Sequence, residues 1–209
     1  MKKIRSKAPL RLGLAGGGSD VSPYSDEYGG YILNATISLY SYCTIEEIEE
    51  PKIIINSVDL NLNESFNIST NYFPIDGNLD LIKQVLNHLL QNKYIIEFTP
   101  FKLSTYCDAP PGTGLGTSST MVVAILKVFS EWKKLSLSQY DIAKIAYKIE
   151  REDLKLSGGK QDQYAASFGG FNFMEFYPDN VVLVNSLKIN NSTINELNTS
   201  MLIFNLGSS

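Results

Sequence analysis

Apolar residues alternate with others along Ala8-Pro9-Leu10-Arg11-Leu12-Gly13-Leu14, the period of a half-buried strand. On that spacing Leu10, Leu12 and Leu14 share one face, while Arg11 and Gly13 point the other way. A glycine-rich loop, Ala15-Gly16-Gly17-Gly18-Ser19-Asp20, follows. Tyr31 to Ile48, rich in β-branched and aromatic residues, predicts a long strand or a pair of strands, and Ile53-Ile54-Ile55 a short one. Asp59 to Gly77 is Asn/Ser-rich and weakly patterned, which predicts short strands and turns. The period then changes to that of a helix: Leu79, Ile82, Leu86, Leu89 and Leu90 form one stripe over about 79–94.

Phe101 to Cys107 reads as the next strand. It feeds a loop that opens a helix over about 118–134, with Met121, Ile125, Val128 and Trp132 on its apolar side. A second helix over about 138–154 carries Ile142, Ile145, Ala146 and Ile149. Ser157-Gly158-Gly159-Lys160-Gln161-Asp162-Gln163 is a loop running into a short helix. Strands are expected at Phe171 to Phe176 and Val181 to Val184, joined by a turn at Pro178-Asp179-Asn180. A last apolar strand is expected at Met201-Leu202-Ile203-Phe204.

Composition narrows the function classes. The 209 residues carry 18 Lys+Arg against 22 Asp+Glu, a net charge of -4, which argues against a nucleic-acid module. No apolar run approaches a membrane span, and the basic start Met1-Lys2-Lys3-Ile4-Arg5 has no long apolar region behind it, so no signal peptide is expected. Cys43 and Cys107 lack metal-ligand spacing and read as reduced core thiols, which fits a cytoplasmic protein. The single histidine, His88, lies in an apolar helical stretch. Chemistry must therefore rest on carboxylates, Arg, Lys, hydroxyls and backbone.

Three segments can carry it. In Pro110-Pro111-Gly112-Thr113-Gly114-Leu115-Gly116-Thr117-Ser118-Ser119, glycines let backbone N–H groups approach a phosphate at a helix N-terminus. The segment lacks the Lys that precedes the closing Ser/Thr of a P-loop. A tight helix start needs neither three glycines nor paired prolines, which favours an anion site over a plain turn. Arg11 and Asp20 flank the glycine triplet, and a charged residue inside an apolar strand needs a partner. Glu150 borders the apolar stripe of its helix, where a solvated position is expected for it taken alone, as for Glu152 and Asp153. Asp162 sits where a capping carboxylate would.

Together these segments resemble the GHMP kinases, the superfamily of galactokinase, homoserine kinase, mevalonate kinase and phosphomevalonate kinase. Pro110 to Ser119 is similar to the family's phosphate loop, with Thr117 where Ser is usual. Ala8-Pro9-Leu10-Arg11 through Asp20 is similar to its first motif, and Gly159-Lys160-Gln161-Asp162-Gln163 to the segment with the catalytic Asp. The strings Gly16-Gly17-Gly18-Ser19-Asp20 and Gly159 to Ala166 are most similar to the branch acting on D-glycero-D-manno-heptose 7-phosphate. Kinases of L-fucose and galactose are the nearest alternatives, and an inactive binding or structural subunit is the other.

The resemblance implies an α/β (α+β two-layer) fold like ribosomal protein S5 domain 2. It implies ATP and Mg²⁺ as cofactors and transfer of phosphoryl to the C1 hydroxyl. Pro111, Gly112, Thr113, Gly114, Leu115, Gly116, Thr117, Ser118 and Ser119 would bind ATP, and Ser118 and Glu150 the metal. Asp162 would be the base and Arg11 would stabilise developing charge. Asp20, Gly17, Gly18, Ser19 and Gly159 would contact the sugar phosphate. It further implies an N-terminal domain over residues 1–185, the start of a connection over 186–209, and a ferredoxin-like C-terminal domain that these residues do not include. The face such a domain would cover is then a candidate for self-association.

Overall fold

The computed structural model describes residues 2–202 and Phe204. In chain order the elements are β1 (Lys3–Ala15), α1 (Tyr24–Tyr28), β2 (Gly30–Glu47), β3 (Lys52–Ser57), β4 (Leu62–Asn67), α2 (Asp80–Gln91) and β5 (Phe101–Cys107). They continue as α3 (Thr117–Lys133), α4 (Gln139–Tyr147), α5 (Gln161–Phe168), β6 (Phe171–Phe176), β7 (Val182–Ser186) and α6 (Asn191–Ser200). A π-helical turn, Lys148–Asp153, extends α4.

The sheet is organised around β2. One edge of β2 pairs antiparallel with β1, while its other edge takes β5 along residues 41–47 and β6 along residues 30–35. Beyond β5 lie β3, parallel to it, and then β4; beyond β6 lies β7. The sheet is therefore mixed, with helices packed against one face. The inward positions Ala8, Leu10, Cys43, Ile45, Ile53, Ile55, Phe101 and Leu103 form one core with α2 and with α3, which is buried from Ser119 to Leu126. Phe101, Phe129 and Trp132 pack edge to face or tilted at 5.3–5.8 Å in this layer. On the opposite face the alternation places Arg5 over the Tyr42 ring and Lys7 over Tyr40, at 4.4 and 4.2 Å.

Several expectations hold, and others need correction. The stretch 30–47 is one strand, not two. β1 begins five residues earlier than the apolar alternation, because Lys3, Arg5 and Lys7 occupy the open face and carry no hydrophobic signal. α6 was not expected: its Asn/Thr/Ser-rich run has no buried residue and so no apolar stripe to read. Met201, Leu202 and Phe204 lie in no regular element, and Ile203 of that expected strand lies outside the described residues, as do residues 205–209. Both cysteines are free and buried, and burial pushes the Cys43 thiol up. Among the described residues no helix is long and apolar enough to cross a membrane.

α2 is fastened to the π-helical turn by His88, whose Nδ1 lies 3.2 Å from Asp153 Oδ2 and whose ring stacks on Tyr94. Burial lowers the His88 pKa from its ordinary value, against the opposing pull of Asp153. Below about pH 6.5 the unfolded chain therefore binds this proton more readily than the folded one, and stability falls as pH falls. Tm should drop between about pH 7.5 and 5.5, and His88→Gln should reduce the drop. Equal drops in both proteins would clear His88 as the cause.

Candidate active site

The loop between β5 and α3 turns through three glycines with left-handed backbone, Gly112 (φ +81°), Gly114 (φ +70°) and Gly116 (φ +75°). A side chain is strained at each of these positions. Gly116 directly precedes α3, whose start has no side-chain cap. The first-turn N–H groups of α3 thus keep their capacity for an anion. Thr117 and Ser118 stand at that turn.

Arg11 holds this loop from β1. Its N–H donates to Leu115 O at 3.2 Å and its Nη1 to Gly114 O at 2.9 Å. Its Nε donates to Asp162 Oδ1 at 2.6 Å, with the two side chains 16% and 18% exposed. The partner that a charge in an apolar strand requires is therefore Asp162, in the first turn of α5. The contact also presses Asp162 against the loop: a Cβ at Gly116 would stand 3.2 Å from Asp162 Cγ.

Asp20 lies close by in a different role. It is 1% exposed, and its Oδ2 accepts the Gln161 N–H at 2.8 Å. A Cβ on Gly159 would collide with this carboxylate. The preceding loop is closed by Gly16, where a Cβ would strike the Tyr31 carbonyl, and by Ser19, whose hydroxyl donates to Gly16 O at 2.7 Å and accepts from Tyr31 N. Gly17 and Gly18 are exposed and have nothing within 4 Å of a Cβ. Lys160, buried just before α5, reaches Asp26 Oδ1 at 3.1 Å. Hydrogen bonds from Ser22 and Lys160 hold the Asp26 carboxyl below the usual range.

Glu150 corrects the solvated position expected for it alone: it is 0% exposed. The π-helical turn, marked by Leu154 N–H donating to Ile149 O, packs both Ile149 and Glu150 inward. Its Oε1 accepts from Ser118 Oγ at 2.9 Å and its Oε2 from Gln163 Nε2 at 2.6 Å. Gln163 also donates to Ser119 Oγ at 3.0 Å. Gln163 was not singled out as a site residue in its own right, since nothing in a local pattern pairs it with a residue on another helix. Asp153 remains exposed and bonds Gln84 and His88, and Glu152 is exposed as expected.

On the other side of the loop lies a cavity of about 240 Å³. Leu60, Leu81, Ile82 and Met121 supply apolar wall, and Ser57, Asp59, Thr105 and Thr117 polar groups. Thr105 Oγ1 is buried there without a partner. A flat heterocycle with edge donors and acceptors suits such walls.

Over most of its length the chain is similar to known proteins. Residues 80–170 match the family model described as GHMP kinases N terminal domain. The chain is 50% identical to a D-glycero-alpha-D-manno-heptose 7-phosphate kinase of Campylobacter jejuni, over 98% of this chain and 60% of the relative. A crystal structure of a D-glycero-D-manno-heptose 1-phosphate kinase from Bacteriodes thetaiotaomicron superposes with a TM-score of 0.88 at 59% identity, covering 92% of this chain and 62% of that one. A galactokinase of Pyrococcus furiosus is 31% identical over 81% of this chain and 45% of its own length. The chain thus spans about three fifths of the two heptose-phosphate kinases. The matched region holds the glycine loop, the buried glutamate and the Asp162 turn, and over it the chain is similar to the GHMP kinases N terminal domain.

Proposed function

We propose that this chain binds ATP and a heptose 7-phosphate and takes part in transferring the γ-phosphoryl to the sugar C1 hydroxyl. The observation that carries the reading is the Arg11–Asp162 pair, held at 2.6 Å directly beneath the glycine loop. Phosphoryl transfer asks a protein mainly to position reactants and neutralise charge. Amides of Gly112 to Ser119 hold the phosphates, and the neighbouring cavity takes the base. Asp162 accepts the C1 proton, and an anomeric hydroxyl is acidic enough for a carboxylate to serve. Arg11 uses Nε and Nη1 within the protein, and Nη2 is left for the transferring oxygens.

Ser118 and Glu150 suit Mg²⁺. They are hard oxygen donors at 2.9 Å from each other, and the carboxylate is buried without a basic partner among the described residues. Mg²⁺ commonly takes one or two carboxylates together with substrate phosphates, and no cluster of three or more acidic, His or Cys ligands exists among the described residues. When bound, the ion neutralises phosphate charge. The buried free thiols suit a reducing compartment such as the cytoplasm.

The two relatives' names differ in the phosphate position, so both sugars belong in the test. The chain is incubated with Mg²⁺, ATP and heptose 7-phosphate, heptose 1-phosphate, galactose or L-fucose, and ADP and new phosphate esters are followed by ³¹P NMR. A new anomeric phosphate from heptose 7-phosphate is expected. Turnover of galactose or fucose alone would move the substrate to another branch. Nucleotide binding without turnover of any sugar would leave a binding subunit.

A further inference from the structure

Gln163 has no part in the chemistry above, yet three helices meet at its side chain. It is fully buried on α5, next to Asp162. Its Nε2 spends both hydrogens, one on Glu150 Oε2 at 2.6 Å and one on Ser119 Oγ at 3.0 Å. The reversed amide would face its carbonyl oxygen to the carboxylate, so Glu150 dictates the orientation. Gln163 Oε1 is then left buried with no partner.

Glu150 has a matching shortfall. It is buried, it accepts from two neutral donors, and no basic side chain lies within ion-pair distance among the described residues. A buried carboxylate offset only by neutral donors is under-compensated, and an orphaned buried carbonyl beside it adds a second deficit. A divalent cation taken up at the exposed Ser118 hydroxyl would supply the charge that the carboxylate lacks.

We infer that Gln163 is a positioning residue for the metal site: its amide, held by Ser119, fixes Glu150 toward Ser118. The inference rests on the Mg²⁺–nucleotide reading of the site. A Gln that merely ties α3 to α5 would affect folding and leave metal dependence alone.

ADP is titrated into wild-type chain, Gln163→Met and Gln163→Glu with Mg²⁺ or with EDTA, and melting is followed in both conditions. Wild type should bind ADP more tightly with Mg²⁺. Gln163→Met should weaken Mg²⁺–ADP binding by roughly 10–100-fold and leave ADP in EDTA unchanged, the scale seen when support behind a metal ligand is lost. Gln163→Glu puts a second carboxylate against Glu150. It should melt lower in EDTA and regain stability with Mg²⁺ by more than wild type does. Variants that lose stability but keep the wild-type Mg²⁺ dependence overturn the inference alone. Wild type that binds no nucleotide overturns the reading beneath it as well. If Gln163→Met does not fold, absence of Mg²⁺ rescue in Gln163→Glu overturns the inference.

Discussion

Asp162→Asn is expected to lower kcat on the sugar substrate by about 10²–10⁴-fold, the range for loss of a general base, with KM changed little. That corresponds to roughly 3–5 kcal/mol of transition-state stabilisation. The substitution is close to isosteric, and the amide oxygen can still accept from Arg11 Nε, so the loop and α5 should stay in place. The native pair is mostly buried, so leaving Arg11 without its counter-charge should cost about 1–3 kcal/mol of folding stability while the Arg11 Nε hydrogen bond persists. Turnover and melting are read on the same preparation. Near-normal kcat in a folded variant would remove Asp162 as the base, whereas a collapse of both would show only that the pair is structural.

The second large effect is on stability. Gly159→Ala should destabilise the fold by about 3 kcal/mol, lowering Tm by roughly 6–12 °C. The added methyl meets the buried Asp20 carboxylate, which can give way only by releasing the Gln161 N–H at the start of α5. Moving a buried charge off its donor is costly because nothing else in the site replaces the bond. Gly17→Ala provides the contrast, since its Cβ would point into open space, and it should change stability by less than about 0.5 kcal/mol. Equal Tm values for the two variants would refute the close approach at Gly159. The strings Gly16-Gly17-Gly18 and Gly158-Gly159 look alike as composition, and only the neighbours across the fold separate a necessary glycine from a tolerant one.

Much of the architecture was legible along the chain. Alternation located the strand from Ala8, β-branched and aromatic content that from Tyr31, short apolar runs pointed to Ile53, Phe101 and Phe171, and helical stripes located α2 and α3 within a residue or three of their observed ends. These features depend on local period, which a single sequence carries in full. The glycine loop was legible for the same reason, since φ-permissive residues at 112, 114 and 116 mark a turn that other residues resist.

What escaped the sequence was pairing. Glu150 read as a surface acid because a regular helix puts it at the edge of the stripe, and the π-helical turn that buries it leaves no periodic trace. Arg11 announced that it needed a counter-charge, but Asp162 is 151 residues away and Asp20 was the nearer carboxylate along the chain. Resemblance supplied Asp162 as a candidate; the fold supplied the contact.

By itself, then, the sequence determined the strands and principal helices, a phosphate-suited loop, and a short set of polar residues able to do chemistry. Those properties arise from backbone preference and burial period, which act between near neighbours. The tertiary structure decided which carboxylate meets Arg11, why Asp20 is a buried strut for Gln161, and how Gln163 joins Glu150 to α3. Hydrogen bonds and ion pairs are selected by distance in space, and packing three helices against β2 and its neighbours sets those distances.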